Sequence, residues 1–406
     1  MRIRPPERIQ RGDKVEYRVE VQAPGYPETL WYRVDEEYGN LVSSRTDAAL
    51  VALLIPAMKA GEKVQVAGTI SERLYYNLSR PYQAVIREVH PSLKKIDIHA
   101  EDVRPASTSA SGVATGFSAG IDSFSVLADH HYADDVPKRF RLTHLLYNNV
   151  GSHNQGGERL FRKRFERIRP AAEQIGLPFI AVNSNVDEFY RDQFRFSQTH
   201  TPRNASVALL LQRNINRFLY GSAYHYRSIY IGSDGTMGNS DPITLPLLST
   251  RGLDALTVGS AYTRVEKTLQ VANVEHSYRA LDVCIRDDTA KNCSTCRKCR
   301  RTMLTLEIAG MLDRYEDVFD LEAYRRGREK YIAKVIQSSS PFAREIVSFA
   351  RDHDFTFPLS SRLKAPLFKI KNKVSWPQPV RDTKRLVRWM LPNRTVNKTK
   401  KYQRDP

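Results

Sequence analysis

Gly112-Val113-Ala114-Thr115-Gly116-Phe117 runs through Ser118-Ala119-Gly120-Ile121-Asp122-Ser123 into the stretch FSVLADHH, which ends at His131. The first six residues are small or apolar and uncharged, as in a strand covered on both faces. Ser118-Ala119-Gly120 reads as a tight turn, and from about Asp122 to His131 the spacing of apolar residues is helical. Further along, residues 143–149 (THLLYNN) read as a strand, 157–175 as a helix and 177–184 (LPFIAVNS) as a strand. Ala205–Tyr220 then reads as a long helix and 228–235 (SIYIGSDG) as a strand. This alternation predicts an α/β fold with a parallel, doubly wound sheet. Ligands of such sheets sit on the loops at the C-terminal ends of the strands.

Before Ser107 the pattern differs. Val15, Tyr17, Val19 and Val21 alternate with polar residues, as do Ile96 and Ile98, and LWYRVD, KVQVAGTI, RLYYNL and QAVIREV are short β-rich runs. Pro24-Gly25 and Tyr38–Asn40 supply turns. One helix interrupts them, capped by Thr46 or Asp47, with Leu50, Leu53 and Leu54 on its apolar face, and closed by Lys59 and Gly61. The expected organisation is a small, largely antiparallel β domain over 1–107, then an α/β domain over 108–312. A helical extension with a basic tail follows over 313–406, and STSASG at 107–112 is the linker. No internal repeat is visible.

The chain has 406 residues, 41% hydrophobic and 10% aromatic, which excludes a mostly disordered polymer. Its longest apolar run, Ala48–Met58, contains Pro56 and falls short of the ~20 residues of a spanning helix. The first residues, MRIRPPERIQRGDK, lack the apolar stretch of a secretory signal, so a cytoplasmic setting is expected. The net charge is +18, of which +12 falls in Ser361–Pro406, with fourteen Lys and Arg against two Asp. Residues 381–391, RDTKRLVRWML, fit a basic amphipathic helix suited to an RNA backbone or an anionic membrane surface. A solvated, solubilising end is the plainer reading.

Three groups of residues carry candidate chemistry. The Ser118–Ser123 turn opens a helix, where free backbone N–H groups and the dipole favour phosphate. Asp122 there is placed to cap the helix or to help hold magnesium, and an ordinary capped turn is the alternative. Cys284, Cys293, Cys296 and Cys299 are the chain's four cysteines, spaced C-x8-C-x2-C-x2-C. In a reducing compartment this spacing points to a tetrathiolate zinc site, closed and therefore structural. Arg297, Lys298, Arg300 and Arg301 around it offset thiolate charge or face a phosphate. Arg264 and Lys267 share one face if they are helical, as a clamp on departing charge or as part of a solvated helix start. Tyr147-Asn148-Asn149 and Gly232-Ser233-Asp234 end expected strands. His153, His200 and His225 receive no role.

Ser118–Ser123 resembles the SGGxDS signature of the PP-loop ATP pyrophosphatases, with Ala119 in place of the first glycine. A positive φ there would cost alanine about 1 kcal/mol. With the four cysteines downstream, residues 112–310 are similar to the 7-cyano-7-deazaguanine synthases and their relatives, several of which belong to anti-phage defence systems. The resemblance implies that Ser118, Ala119, Gly120, Ile121, Asp122 and Ser123 hold ATP with Mg²⁺. It also implies that Asp122, Arg264 and Lys267 act at the phosphates, that the strand end Tyr147-Asn148-Asn149 lies near adenine, and that the cysteines hold Zn²⁺. The implied reaction is adenylation of a carboxylate on a 7-deazaguanine-like base. Ammonia then gives an amide, and a second activation gives a nitrile. A protein amine is another acceptor in this group. An RNA-modifying enzyme and a non-catalytic nucleotide-binding scaffold of a defence or surface-polymer gene cluster are the competing expectations.

Overall fold

Gly112–Gly116 forms a strand buried along nearly its whole length, and it lies inside the sheet rather than at an edge. The computed structural model describes residues 1–153, 157–191, 193–233, 236–286 and 291–365. The expected tail helix at 381–391 lies outside them. Among the described residues, eleven strands make one mostly parallel sheet. They are β1 (Arg2–Ile3), β2 (Glu7–Arg11), β3 (Lys14–Gln22), β4 (Thr29–Asp35), β5 (Val64–Ser71), β6 (Ile98–Arg104), β7 (Gly112–Gly116), β8 (His144–Asn149), β9 (Phe179–Ser184), β10 (Ile215–Gly221) and β11 (Asp254–Val258).

The order β11-β10-β7-β8-β9 is parallel throughout. The chain moves outward from β7 to β8 and β9, then crosses back to place β10 and β11 on the other side of β7. The C-terminal ends of β7 and β10 thus flank a topological switch point, where open α/β sheets bind ligands. Alternate residues along the strands feed two cores. Ala114, Leu146, Ile180, Val182 and Phe218 join the core that includes the helices Asp47–Ala60 and Phe196–Leu210. Val113, Leu145, Tyr147 and Leu219 join the core of Ile121–Leu127, Gly157–Ile175 and Arg297–Ile308. Both faces are therefore covered.

The N-terminal strands continue this sheet past residue 107. β4 pairs antiparallel with β9, Tyr32 opposite Ser184 and Arg33 opposite Asn183. Asn185 extends the pairing by accepting from Trp31 N at 2.9 Å and donating to Thr29 O at 2.8 Å. β2, β3 and β4 form an antiparallel group, whereas β1–β5 and β5–β6 are parallel, so this region is less antiparallel than expected.

Four other expectations are corrected. RLYYNL and QAVIREV are not strands but lie in the helices Glu72–Ser79 and Pro81–Val89. Leu74, Leu78, Tyr82 and Ile86 recur every four residues and are all buried, and Pro81 opens the second helix at its first turn. The one expected helix, Asp47–Ala60, does form and ends at Gly61 with φ 77°. The helix expected to reach Tyr220 stops at Leu210, and β10 follows. Ala205 and Val207–Leu211 are at most 1% exposed, so no amphipathic period marks where the helix ends. Ile229–Ile231 is not a strand, and β11 was not expected at all.

Candidate functional site

The Ser118–Ser123 turn leaves β7 at the switch point. Ala119 takes φ 56°, a left-handed conformation that disfavours any Cβ, and it is fully buried. Its carbonyl accepts from Asp282 N at 2.7 Å, which ties the turn to the segment entering the cysteine cluster. Ile121–Leu127 is α-helical and continues into a π turn over Ala128–Tyr132. Gly221, at the end of β10, lies so close that an added Cβ would stand 3.1 Å from Asp122 O. Glycine there lets the strand and the helix approach.

Asp122 is the focus of the charges. Arg264 reaches both of its oxygens, Nη1 to Oδ1 at 2.9 Å and Nη2 to Oδ2 at 3.0 Å, and Lys267 Nζ is 3.2 Å from Oδ1. Burial opposes ionisation of Asp122, but Arg264 and Lys267 outweigh it and hold the carboxyl below the usual range. Both cations lie on the helix Arg264–Val271, three residues apart. Thr263 and Glu266 close that helix with a reciprocal capping box. Glu266 thus serves the cap, while Lys267 is 1% exposed and also donates to Ser222 O. Arg264 Nη2 additionally donates to Ala223 O at 2.9 Å. Burial lowers the Lys267 pKa and Asp122 raises it.

These groups open into a cavity of about 1080 Å³. Ser118, Gly120, Ile121, Asp122 and Ser123 line it, as do Asn148, Ser152 and His153 from the C-terminal side of β8, and His200, Asn204 and Tyr220. Among the described residues, seven cations, Arg164, Arg195, Arg264, Arg297, Lys298, Arg301 and Lys334, and three acids, Asp122, Asp241 and Asp282, line it. That surplus suits a polyanion. Ser118 is exposed, whereas Ser123 Oγ is engaged with Gly120 O at 3.0 Å.

Asn148 Nδ2 donates to Asn204 Oδ1 at 3.0 Å. His153 lies 3.1 Å from Tyr147 Oη, and burial, with Arg164, pushes it down to about 4. His200 stands 2.9 Å from Tyr220 Oη and is likewise pushed down to about 4 by burial and Arg203. Both are therefore neutral at pH 7. His225 caps the short turn Tyr226–Ser228 and does not line the cavity. Ser233 is not among the lining residues, and Asp234 lies outside the described residues. The single-residue sequence signals missed Asp241. It is fully buried, bonded to Thr201 Oγ1, and pushed up to about 7 by burial. Only the crossing of β10 brings it to the site, so nothing local marks it.

The four cysteine sulfurs lie within 4.8 Å of one another. A zinc tetrathiolate has S···S edges of ~3.8 Å for Zn–S bonds of ~2.3 Å, which falls between the 3.4 Å of Cys296 Sγ and Cys299 Sγ and the 4.8 Å limit of the set, so the cluster fits the ion after small shifts. Cys296 N and Cys299 N point at the sulfurs of Cys293 and Cys296, at 3.3 and 3.5 Å. Ser294 takes φ 55° within the first C-x2-C. Cys296 caps the helix Arg297–Ile308, so the cluster fixes the start of the helix that carries Arg297, Lys298 and Arg301 into the cavity.

Comparison with protein-family models, with curated proteins and with solved structures finds no match for this chain. No helix among the described residues is long and apolar enough to cross a membrane.

Proposed function

We propose that the protein is an ATP-dependent adenylating enzyme that activates a carboxylate or amide of a small 7-deazaguanine-like base and joins it to nitrogen. The observation that carries this reading is the convergence of Arg264 and Lys267 on Asp122 of the Ser118–Ser123 turn, inside a cation-rich cavity at the switch point. In the first step a substrate oxygen bonds to the α-phosphorus while the α–β bridging P–O bond breaks. Pyrophosphate leaves with the electron pair. Arg264 and Lys267 are preorganised against the charge that develops there, and such preorganisation is worth several kcal/mol in a partly desolvated site. Ammonia then attacks the acyl carbon and expels AMP, leaving an amide, and a second adenylation on the amide oxygen allows loss of AMP to give a nitrile.

Asp122 is the residue that would hold magnesium, which would offset triphosphate charge. Zinc on the four cysteines would brace the cavity wall and leave no open coordination position for catalysis. His153 and His200 stay neutral and add no further positive charge to a wall that already carries Arg164.

One observation favours a non-catalytic nucleotide-binding scaffold as a second reading, namely the left-handed Ala119 where a glycine would be unstrained. Thiolation of RNA is disfavoured, because all four cysteines converge on one cluster and none remains as a free nucleophile. Purified protein incubated with ATP, Mg²⁺ and 7-carboxy-7-deazaguanine, with and without ammonia, separates the readings. AMP and pyrophosphate formation that depends on the base supports the enzyme. AMP formation that requires RNA supports the RNA modifier, and ATP binding without turnover supports the scaffold.

A further inference from the structure

The cations along the cavity divide into two kinds. Arg264 is ion-paired to Asp122, which Lys267 of the same helix also contacts. Arg297, Lys298 and Arg301 line the cavity, and among the described residues their side chains make no hydrogen bond or ion pair. They are grouped rather than scattered. On the helix Arg297–Ile308, Arg301 is four residues from Arg297 and three from Lys298, so the three share one face. The thiolates beside them do not use them, since the sulfurs of Cys284, Cys293 and Cys296 accept backbone N–H groups of Arg286, Cys296 and Cys299 instead.

Arg301 is packed in place without a bonded carboxylate among the described residues, Asp122 and Glu345 acting on it only at longer range. Its guanidinium lies 4.2 Å from the ring centre of Phe342, and its Nε is buried without a partner. Arg264 lies 5.8 Å from the same ring, so Phe342 is shared by the phosphate-loop cation and this second set. Tyr224 stacks on Phe342 at 5.7 Å and also lines the cavity, which adds aromatic surface. Three cations with no bonded carboxylate, one of them held on an aromatic ring, suit an anion carried on a flat ring.

We infer that Arg297, Lys298 and Arg301 form a second oxyanion subsite, on the cavity wall beside the phosphate loop, that takes the carboxylate of an aromatic co-substrate while the loop holds the nucleotide. This rests on the proposed adenylation and names the residues that bring the attacking carboxylate to the α-phosphate. Benzoate is the probe, and benzamide is its uncharged isostere. Calorimetric titration of the full chain, free and saturated with α,β-methylene-ATP, should show benzoate binding with the nucleotide in place and no benzamide binding. Lys298→Met/Arg301→Met should weaken benzoate binding at least tenfold, move nucleotide affinity less than threefold, and keep one zinc per chain. Where Arg301→Met impairs folding, Arg297→Gln/Lys298→Met at exposed positions gives the same test.

Benzoate that displaces the nucleotide, or binds the double variant as well as the parent, overturns the subsite. So does a double variant that loses nucleotide as strongly as Arg264→Met, since these cations would then serve the triphosphate, or one that sheds zinc, since they would then serve the thiolates. A chain that binds no nucleotide refutes the adenylation reading alone, because benzoate binding to the free protein is still scored by the variants.

Discussion

Asp122→Asn keeps the shape of the side chain and removes the one charge on which Arg264 and Lys267 converge. Both cations are more than nine-tenths buried, and among the described residues neither side chain is ion-paired to another carboxylate. Removing one partner from a fully buried ion pair costs ~3–5 kcal/mol. A third of the Asp122 side chain remains open to the cavity, so solvent screening reduces this to about 2–3 kcal/mol. Urea unfolding at pH 7 and low salt reads that loss directly. Inorganic pyrophosphate without magnesium should restore part of it and stabilise the variant more than the parent, because in the parent Asp122 competes for the same cations.

The pH dependence has a fixed sign. The folded Asp122 carboxyl titrates below its unfolded value, so its contribution is fully present above roughly pH 4 and is lost as pH falls through the lower folded value. The gap between variant and parent should be flat from about pH 5 to 8 and close only in acid. A variant as stable as the parent at pH 7, or one that gains nothing from pyrophosphate, would refute the argument that the triad is a phosphate site held by the Asp122 charge.

The other predictions concern the turn, the metal and the tail. Ala119→Gly relieves ~1 kcal/mol of left-handed strain but loses a buried methyl worth ~0.8 kcal/mol and gains unfolded-state freedom, so its stability should stay within about 1 kcal/mol of the parent. Ala119→Val should cost more than about 2 kcal/mol in the same urea assay, through strain and overpacking. The purified protein should carry one zinc per chain by metal analysis, and Cys293→Ser or chelation should lower both its thermal midpoint and its nucleotide affinity. A zinc-free preparation with four reactive thiols would contradict the tetrathiolate. Deleting residues 366–406 should reduce salt-sensitive retention on an anionic matrix and leave ATP-dependent turnover intact; loss of both would join the tail to the site.

The parts legible in the sequence were those whose signal is local. Gly112–Ser123 declared a strand, a turn and a helix within a dozen residues, and the positive φ of Ala119 follows from its place in the motif. The cysteines declared their cluster by spacing alone. Arg264 and Lys267 were placed on one face by their separation, but the carboxylate that they share is about 140 residues earlier, and only the fold shows the contact. The rest was hidden for physical reasons. Glu72–Val89 is rich in Tyr and Val, whose strand propensity is overridden by burial every fourth residue. The end of Phe196–Leu210 carries no polar face to mark it, so β10 was absorbed into the helix and the switch point was not located. The join between β4 and β9 depends on backbone pairing and on Asn185, neither of which has a sequence signature.

That join sets an order of events for a nascent chain. β4 leaves the ribosome about 145 residues before β9. At synthesis rates of ~5–20 residues per second, its open edge waits on the order of ten seconds for its partner. During that interval Thr29–Asp35 presents unpaired backbone groups beside Leu30, Tyr32 and Val34, all at most 1% exposed once folded. The N-terminal strands are therefore the segment of this protein with most to gain from a holding chaperone, and slowing elongation between residues 36 and 178 should lower its soluble yield more than slowing it after β9.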